Sequence, residues 1–262
     1  MNIYKHYFLC IVTFIYVTIL FESCASNRNY IYFYNAQSIA SKDSSSNYTP
    51  ILKADDLLSI NVSTIDPDAS KPFNPIVVSN NTTGQIIGTP ATQNFLIDAD
   101  GTIDYPVLGK IKLAGLSRKE ATDLIKEKLQ SYIDKPIVNI RILNFKITVL
   151  GEVRNPGTFT IPNERITLLE ALGYAGDLAI TGLRTNILVI REINGKKSST
   201  RVDLTSSDIV NSPVYYLNQN DVIYVEPNKT KVNSARSSSN TSIVLSSLSL
   251  LITTISVLLT FK

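Results

Sequence analysis

Histidine is almost missing from this chain: His6 is the only one in 262 residues. A functional unit lying beyond Cys24 therefore has no imidazole, which removes Ser-His and Cys-His nucleophilic chemistry and the common zinc ligand sets. Cysteine is as scarce. Cys10 and Cys24 are the only two and both lie near the N-terminus, so the body of the chain has no disulfide framework and no thiolate metal site. Tryptophan is absent and Met1 is the only methionine. Charged residues make up 18% of the chain and sum to +3, with no run of Lys and Arg to concentrate them, so nucleic acid is not an expected partner. Phosphate-cradling loops are missing as well: Gly151, Gly157 and Gly176 open no helix at the required spacing and read as turns. No catalytic residue, metal ligand or cofactor site is expected.

The informative segments are the two ends. Lys5 and His6 precede a stretch from Tyr7 to Phe21 that is apolar apart from Thr13 and Thr18, the pattern of a secretory signal over residues 1–23. The order Phe21-Glu22-Ser23-Cys24 resembles a bacterial lipobox and makes Cys24 the expected lipidation site, although Glu22 is not the small residue usually preferred. Several acyl chains on one cysteine hold a domain to a membrane far longer than one chain does. An uncleaved signal anchor is the other reading. Residues 24–48 turn polar, rich in Ser and Asn, as expected for a tether.

At the other end, Ile243 to Phe261 holds no charge, Gly or Pro, and its 19 residues rise about 28 Å as a helix, enough to cross a bilayer. Seven of the 19 are Ser or Thr. Ser242, Ser246, Ser249, Thr253, Ser256 and Thr260 recur at steps of four and three, which places them within about 80° of arc on a helical wheel. Such a stripe lines the lumen of a ring of helices or packs one helix against another, and the pattern alone leaves both open.

Between the ends the chain predicts an α+β architecture of two small mixed domains, 49–144 and 146–227, then a polar neck over 228–241 and a transmembrane helix over 242–261. Leu57 to Val62 alternates as a strand, whereas Ile65 to Gln93 has little periodicity and reads as a long loop. Asp98-Ala99-Asp100-Gly101 is a turn signal that predicts a hairpin between Phe95–Ile97 and Thr102–Tyr105. Ser117 and Glu120 have capping-box spacing for a helix running to about Tyr132, and Thr167 and Glu170 repeat that spacing. Asn155-Pro156-Gly157 and Asn194-Gly195 each predict a hairpin, and Asp221 to Val225 a closing strand.

These segments resemble the outer-membrane polysaccharide export lipoproteins. The first domain carries the resemblance through Asp56-Leu57-Leu58-Ser59-Ile60-Asn61-Val62 and Asp100-Gly101-Thr102-Ile103-Asp104-Tyr105-Pro106-Val107-Leu108-Gly109. The second is similar to a soluble-ligand-binding β-grasp (SLBB) domain through Gly151-Glu152-Val153-Arg154-Asn155-Pro156-Gly157 and Leu168-Leu169-Glu170-Ala171-Leu172. Asp55 and Asp177 stand where this family usually has glycine.

The resemblance implies a homo-oligomeric ring of about eight chains, with periplasmic domains around a cavity and C-terminal helices forming a barrel through the outer membrane. It implies that Ser242, Ser246, Ser249, Thr253, Ser256 and Thr260 line a pore for capsular or exopolysaccharide. It also implies an inner-membrane co-polymerase of the tyrosine-kinase type as partner. Two rivals remain: a hydrolase using Asp98 and Asp100 or Asp55 and Asp56, for which turn chemistry is the plainer account, and a membrane-anchored glycan- or partner-binding scaffold without a channel.

Overall fold

The computed structural model describes residues 27–36, 49–77, 91–193 and 195–236, with the helical positions 243, 246–247, 249–254 and 257. In chain order the first domain contains β1 (Leu57–Ser63), α1 (Pro67–Ser70), β2 (Ile76–Val77), β3 (Ala91–Thr92), β4 (Asn94–Leu96), β5 (Thr102–Tyr105), β6 (Gly109–Lys112), α2 (Arg118–Leu129) and β7 (Ile137–Ile142). β1 is the axis of a three-stranded sheet, antiparallel to β4 on one side and β7 on the other. Alternation puts Leu58, Ile60 and Val62 inward at no more than 1% exposure. Each such side chain contributes about 2 kcal/mol of burial. Ala121, Ile125 and Leu129 form the buried stripe of α2, whose start carries the full capping box of Ser117 and Glu120.

The expected hairpin around Asp98–Gly101 does not form. Its turn closes, with the Gly101 N–H donating to the Asp98 carbonyl at 2.8 Å, but the flanking strands part. β4 pairs with β1 and β5 pairs with β6. The Gly101 carbonyl instead accepts from Leu113 and Ala114 at 3.0 and 3.1 Å, so the returning end of β6 takes the place a hairpin partner would need.

The expected loop from Ile65 to Gln93 is partly built. Asn74 receives the Val62 N–H at 2.9 Å and donates to the Val62 and Ser70 carbonyls, which ties α1 to β1. Phe73 is buried, and its carbonyl accepts the Tyr105 hydroxyl at 2.9 Å. Residues 78–90 lie outside the described residues.

The second domain contains β8 (Lys146–Gly151), β9 (Gly157–Thr160), α3 (Leu168–Tyr174), β10 (Gly182–Ile193), β11 (Lys196–Val202) and β12 (Val222–Pro227), followed by α4 (Lys229–Arg236). Its five-stranded sheet has the order β11-β10-β12-β8-β9, antiparallel except for β12 with β8. The hairpins expected at Asn155-Pro156-Gly157 and Asn194-Gly195 are β8–β9 and β10–β11. Gly151 is required at the end of β8, opposite Val225 of β12: at φ +90° a Cβ would lie 2.1 Å from the Val225 carbonyl oxygen. Buried side chains from Leu52 in the first domain to Val225 in the second belong to one cluster, with Phe145 at the crossing point.

The polar neck begins as helix α4, with Asn228 accepting the Lys231 N–H at 2.9 Å. Among the described residues no helix is long and apolar enough to cross a membrane. Much of the expected spanning segment lies outside the described residues; its described positions are helical and exposed.

Candidate functional site

The short link Leu143-Asn144-Phe145 joins β7 to β8, and two amide side chains weld it. Asn144 accepts the Leu57 N–H at 2.9 Å and donates to the Asp55 carbonyl at 2.8 Å, holding the first domain. Gln219 donates to the Asn144 carbonyl at 2.8 Å and accepts the Lys146 N–H at 2.7 Å, holding the second. Glu164 adds a third tie, accepting the Ile142 N–H at 3.0 Å and pairing with Arg118 at 3.2 Å. Beneath them Arg191 forks onto the buried Asp221 at 2.7 Å and donates to the Tyr216 carbonyl at 2.8 Å. Interdomain hydrogen bonds of this kind, over a continuous core, make the two domains one body rather than beads on a linker.

Two clefts open at this junction, of about 240 and 620 Å³. The smaller holds Asp56, whose carboxylate accepts the Lys53 N–H at 2.9 Å. Burial pushes that carboxyl up from 3.8 to about 6. The larger holds Arg118, Arg141 and Arg165 with Glu164, both of whose oxygens are engaged. Neither presents the two free, facing carboxylates that glycoside hydrolysis uses. Asp100 is likewise committed, bonding the Thr102 N–H and hydroxyl at 3.1 and 2.8 Å, which holds its carboxyl below the usual range. Among the described residues no group of His, Cys, Asp and Glu is placed to hold a metal ion.

Of the site residues expected from sequence, Cys24, Ser242, Ser256 and Thr260 lie outside the described residues. Ser246, Ser249 and Thr253 are helical and exposed, and they form a run of back-bonds: Ser249 Oγ donates to the Ser246 carbonyl at 2.8 Å and Thr253 Oγ1 to that of Ser249. Each such hydroxyl satisfies its own proton against the preceding turn. Its oxygen keeps acceptor capacity.

Sequence reasoning missed the segment 27–36, read there as tether. It packs on the second domain: the Phe33 and Tyr34 N–H groups donate to the Leu204 and Thr205 carbonyls at 3.1 and 2.7 Å, and the Tyr32 hydroxyl donates to Asp177. Burial, then the hydrogen bond to Asp177 and its charge, push the Tyr32 phenol far above its usual range, so it remains a donor. The signal was available: Tyr30-Ile31-Tyr32-Phe33-Tyr34 is too aromatic for a solvated linker.

Residues 44–143 match the family described as polysaccharide biosynthesis/export protein, and residues 145–225 match the SLBB domain. The chain therefore carries a polysaccharide-export domain followed directly by an SLBB domain. The EPS I polysaccharide export outer membrane protein EpsA of Ralstonia solanacearum is 31% identical over 144 residues, covering 53% of this chain and 38% of that protein. The protein of the same name from Ralstonia nicotianae is 29% identical over 143 residues, covering 53% of this chain and 37% of its own length. The matched part is thus well under half the length of these curated relatives. The two family domains meet at residues 143–145, where Asn144 and Phe145 make the weld. Asp55 and Asp177, in place of the family's usual glycines, adopt φ of +67° and +70°. Aspartate tolerates that left-handed backbone better than most residues.

Proposed function

We propose that this chain is the outer-membrane component of a polysaccharide export translocon, a homo-oligomeric conduit that passes capsular or exopolysaccharide to the cell surface. The observation that carries the reading is the order of parts: two export-family domains share one core and lead through α4 into an uncharged segment whose described residues are helical. Welded domains suit a ring, because each subunit then presents fixed surfaces to its neighbours and the closure angle does not drift.

In this reading Cys24 carries the lipid, the domains lie in the periplasm, and residues 242–261 form a spanning helix. In a ring of about eight, each helix turns one face to lipid, two flanks to neighbours and one face to water. Ser242, Ser246, Ser249, Thr253, Ser256 and Thr260 make the watered face. Back-bonded hydroxyls exchange weak hydrogen bonds with a passing sugar and hold it at no single station. The chain catalyses nothing: polymer synthesis or an inner-membrane co-polymerase supplies the energy, and this subunit supplies shape.

Native mass spectrometry and negative-stain images of the detergent-extracted full chain test the proposal. Closed rings are expected. Monomers or dimers would leave a membrane-anchored scaffold without a channel.

A further inference from the structure

One end of the second domain gathers three segments that are far apart in the sequence. The strap of residues 27–36 lies against the start of β10, where Arg184 faces the rings of Tyr30 and Tyr32 at 6.0 and 5.5 Å. The Arg184 guanidinium donates to the Gly182 carbonyl at 3.3 Å. One residue earlier, the Thr181 carbonyl receives the Asn228 N–H at 2.7 Å, just before α4, and the Thr181 hydroxyl donates to Glu152. Lys231 of α4 reaches Glu152 at 3.7 Å. Strap, 178–181 loop and neck helix therefore form one continuous surface.

Its composition differs from that of an ordinary exposed face. Tyr30, Ile31, Tyr34 and Ile180 are 39%, 42%, 48% and 71% exposed. Arg28, Lys229, Lys231 and Arg236 accompany them, while residues 27–36 and α4 contain no Asp or Glu. The nearby carboxylates each accept a hydroxyl: Glu152 from Thr181, with Lys231 beside it, Asp177 from Tyr32, Asp203 from Thr205 and Asp208 from Ser206. The described part of the strap begins here at Asn27. Cys24 is three residues before Asn27, a reach of about 10 Å at most, and α4 ends at Arg236, seven residues before Ile243.

We propose that this end of the β-grasp domain is a membrane-contacting face, with Tyr30, Ile31, Tyr34 and Ile180 in the interfacial layer and Arg28, Lys229 and Arg236 against anionic lipid headgroups. The inference rests on the outer-membrane reading above. Rings with a polar tip and basic side chains on long apolar stems are the groups that settle at a bilayer interface. Residues 242–261 contain neither Trp nor Tyr. The strap supplies, from the other end of the chain, the aromatic belt that this segment lacks.

The absence of tryptophan makes the test direct, because Tyr30→Trp and Ile180→Trp each give the full-length chain a single emitter. The variants are reconstituted into phosphatidylethanolamine and phosphatidylglycerol vesicles in which some acyl chains are brominated near the headgroup. Tyr132→Trp is the control: it is 57% exposed in the first domain, which attaches at the opposite end of the sheet. Emission from positions 30 and 180 should be mostly lost and shifted to the blue, and that from position 132 unchanged. If the chain enters vesicles while positions 30 and 180 emit like position 132, the face stands in water and the proposal falls. A blue shift without quenching would place the face between copies of the chain and equally overturn it; anchoring survives both results. A chain that stays out of the vesicles defeats the anchoring reading and this face with it.

Discussion

Asp56 and Asp221 occupy the same position in two separate turns, one per domain. Each carboxylate accepts the backbone N–H three residues earlier, Lys53 at 2.9 Å and Asn218 at 2.8 Å. Each follows a left-handed residue at φ +67°, Asp55 or Asn220, and each precedes the strand on which its sheet is built. Leu52-Lys53-Ala54-Asp55-Asp56-Leu57-Leu58-Ser59-Ile60 therefore aligns with Leu217-Asn218-Gln219-Asn220-Asp221-Val222-Ile223-Tyr224-Val225. The buried leucines and strand residues coincide. Arg191 neutralises Asp221, whereas among the described residues no Lys or Arg forms an ion pair with Asp56.

That difference predicts a pH effect at Asp56. Its folded carboxyl titrates at about 6 against 3.8 when unperturbed, so the group favours the folded state below the lower value and loses that contribution as pH rises through the higher one. The gap corresponds to about 3 kcal/mol at neutral pH. Asp56→Asn, which can still accept the Lys53 N–H, should raise Tm near neutral pH and lose its advantage in acid. Thermal melts of the two proteins across that range should diverge on the alkaline side, and parallel curves would refute the assignment.

Gly151→Ala should be among the most damaging single changes. The added Cβ has no space beside the Val225 carbonyl, and a loss of more than about 3 kcal/mol is expected. Gly195→Ala is the comparison: its φ is +73° but nothing lies within 4 Å, so about 1 kcal/mol is expected. Urea unfolding of both variants measures the contrast.

Asn144→Ala orphans the Leu57 N–H and removes a donor from the Asp55 carbonyl, which should cost about 2–3 kcal/mol. Limited proteolysis should then cut near the link, releasing fragments of the two domains that the parent protein does not yield.

Asp177→Gly, which restores the family's usual residue, should leave the second domain folded and free the strap. The variant removes the carboxylate that receives the Tyr32 hydroxyl. Amide exchange of residues 27–36 should accelerate while that of β10 and β12 stays unchanged, and Tyr32→Phe should act in the same direction.

Ser249→Phe with Thr253→Phe should lower surface polysaccharide without lowering protein level, because two rings would project into the proposed lumen. Leu251→Phe, about 160° from Ser249 on the wheel, should not. Equal effects of the two changes on glycan display would count against the pore.

What was legible in the sequence was local. Ser117 with Glu120 and Thr167 with Glu170 close capping boxes within a single turn, and the β8–β9 and β10–β11 hairpins need only their own turn residues. Alternation from Ile137 to Ile142 declared a strand with one buried face. The lipobox-like order before Cys24 and the hydroxyl stripe are local patterns too, and they stand as expectations, since Cys24, Ser242, Ser256 and Thr260 lie outside the described residues.

Tertiary structure decided the pairings between distant segments. Whether β4 continues into β5 or joins β1 depends on which neighbour offers free backbone groups, and that is settled only once β6 has covered Gly101. The parallel register of β12 on β8, the weld through Asn144 and Gln219, and the strap held by Asp177 each join residues 70 or more positions apart. A sequence window records which groups can donate, accept or be buried; it does not record which of them the folded chain brings within 3 Å of each other.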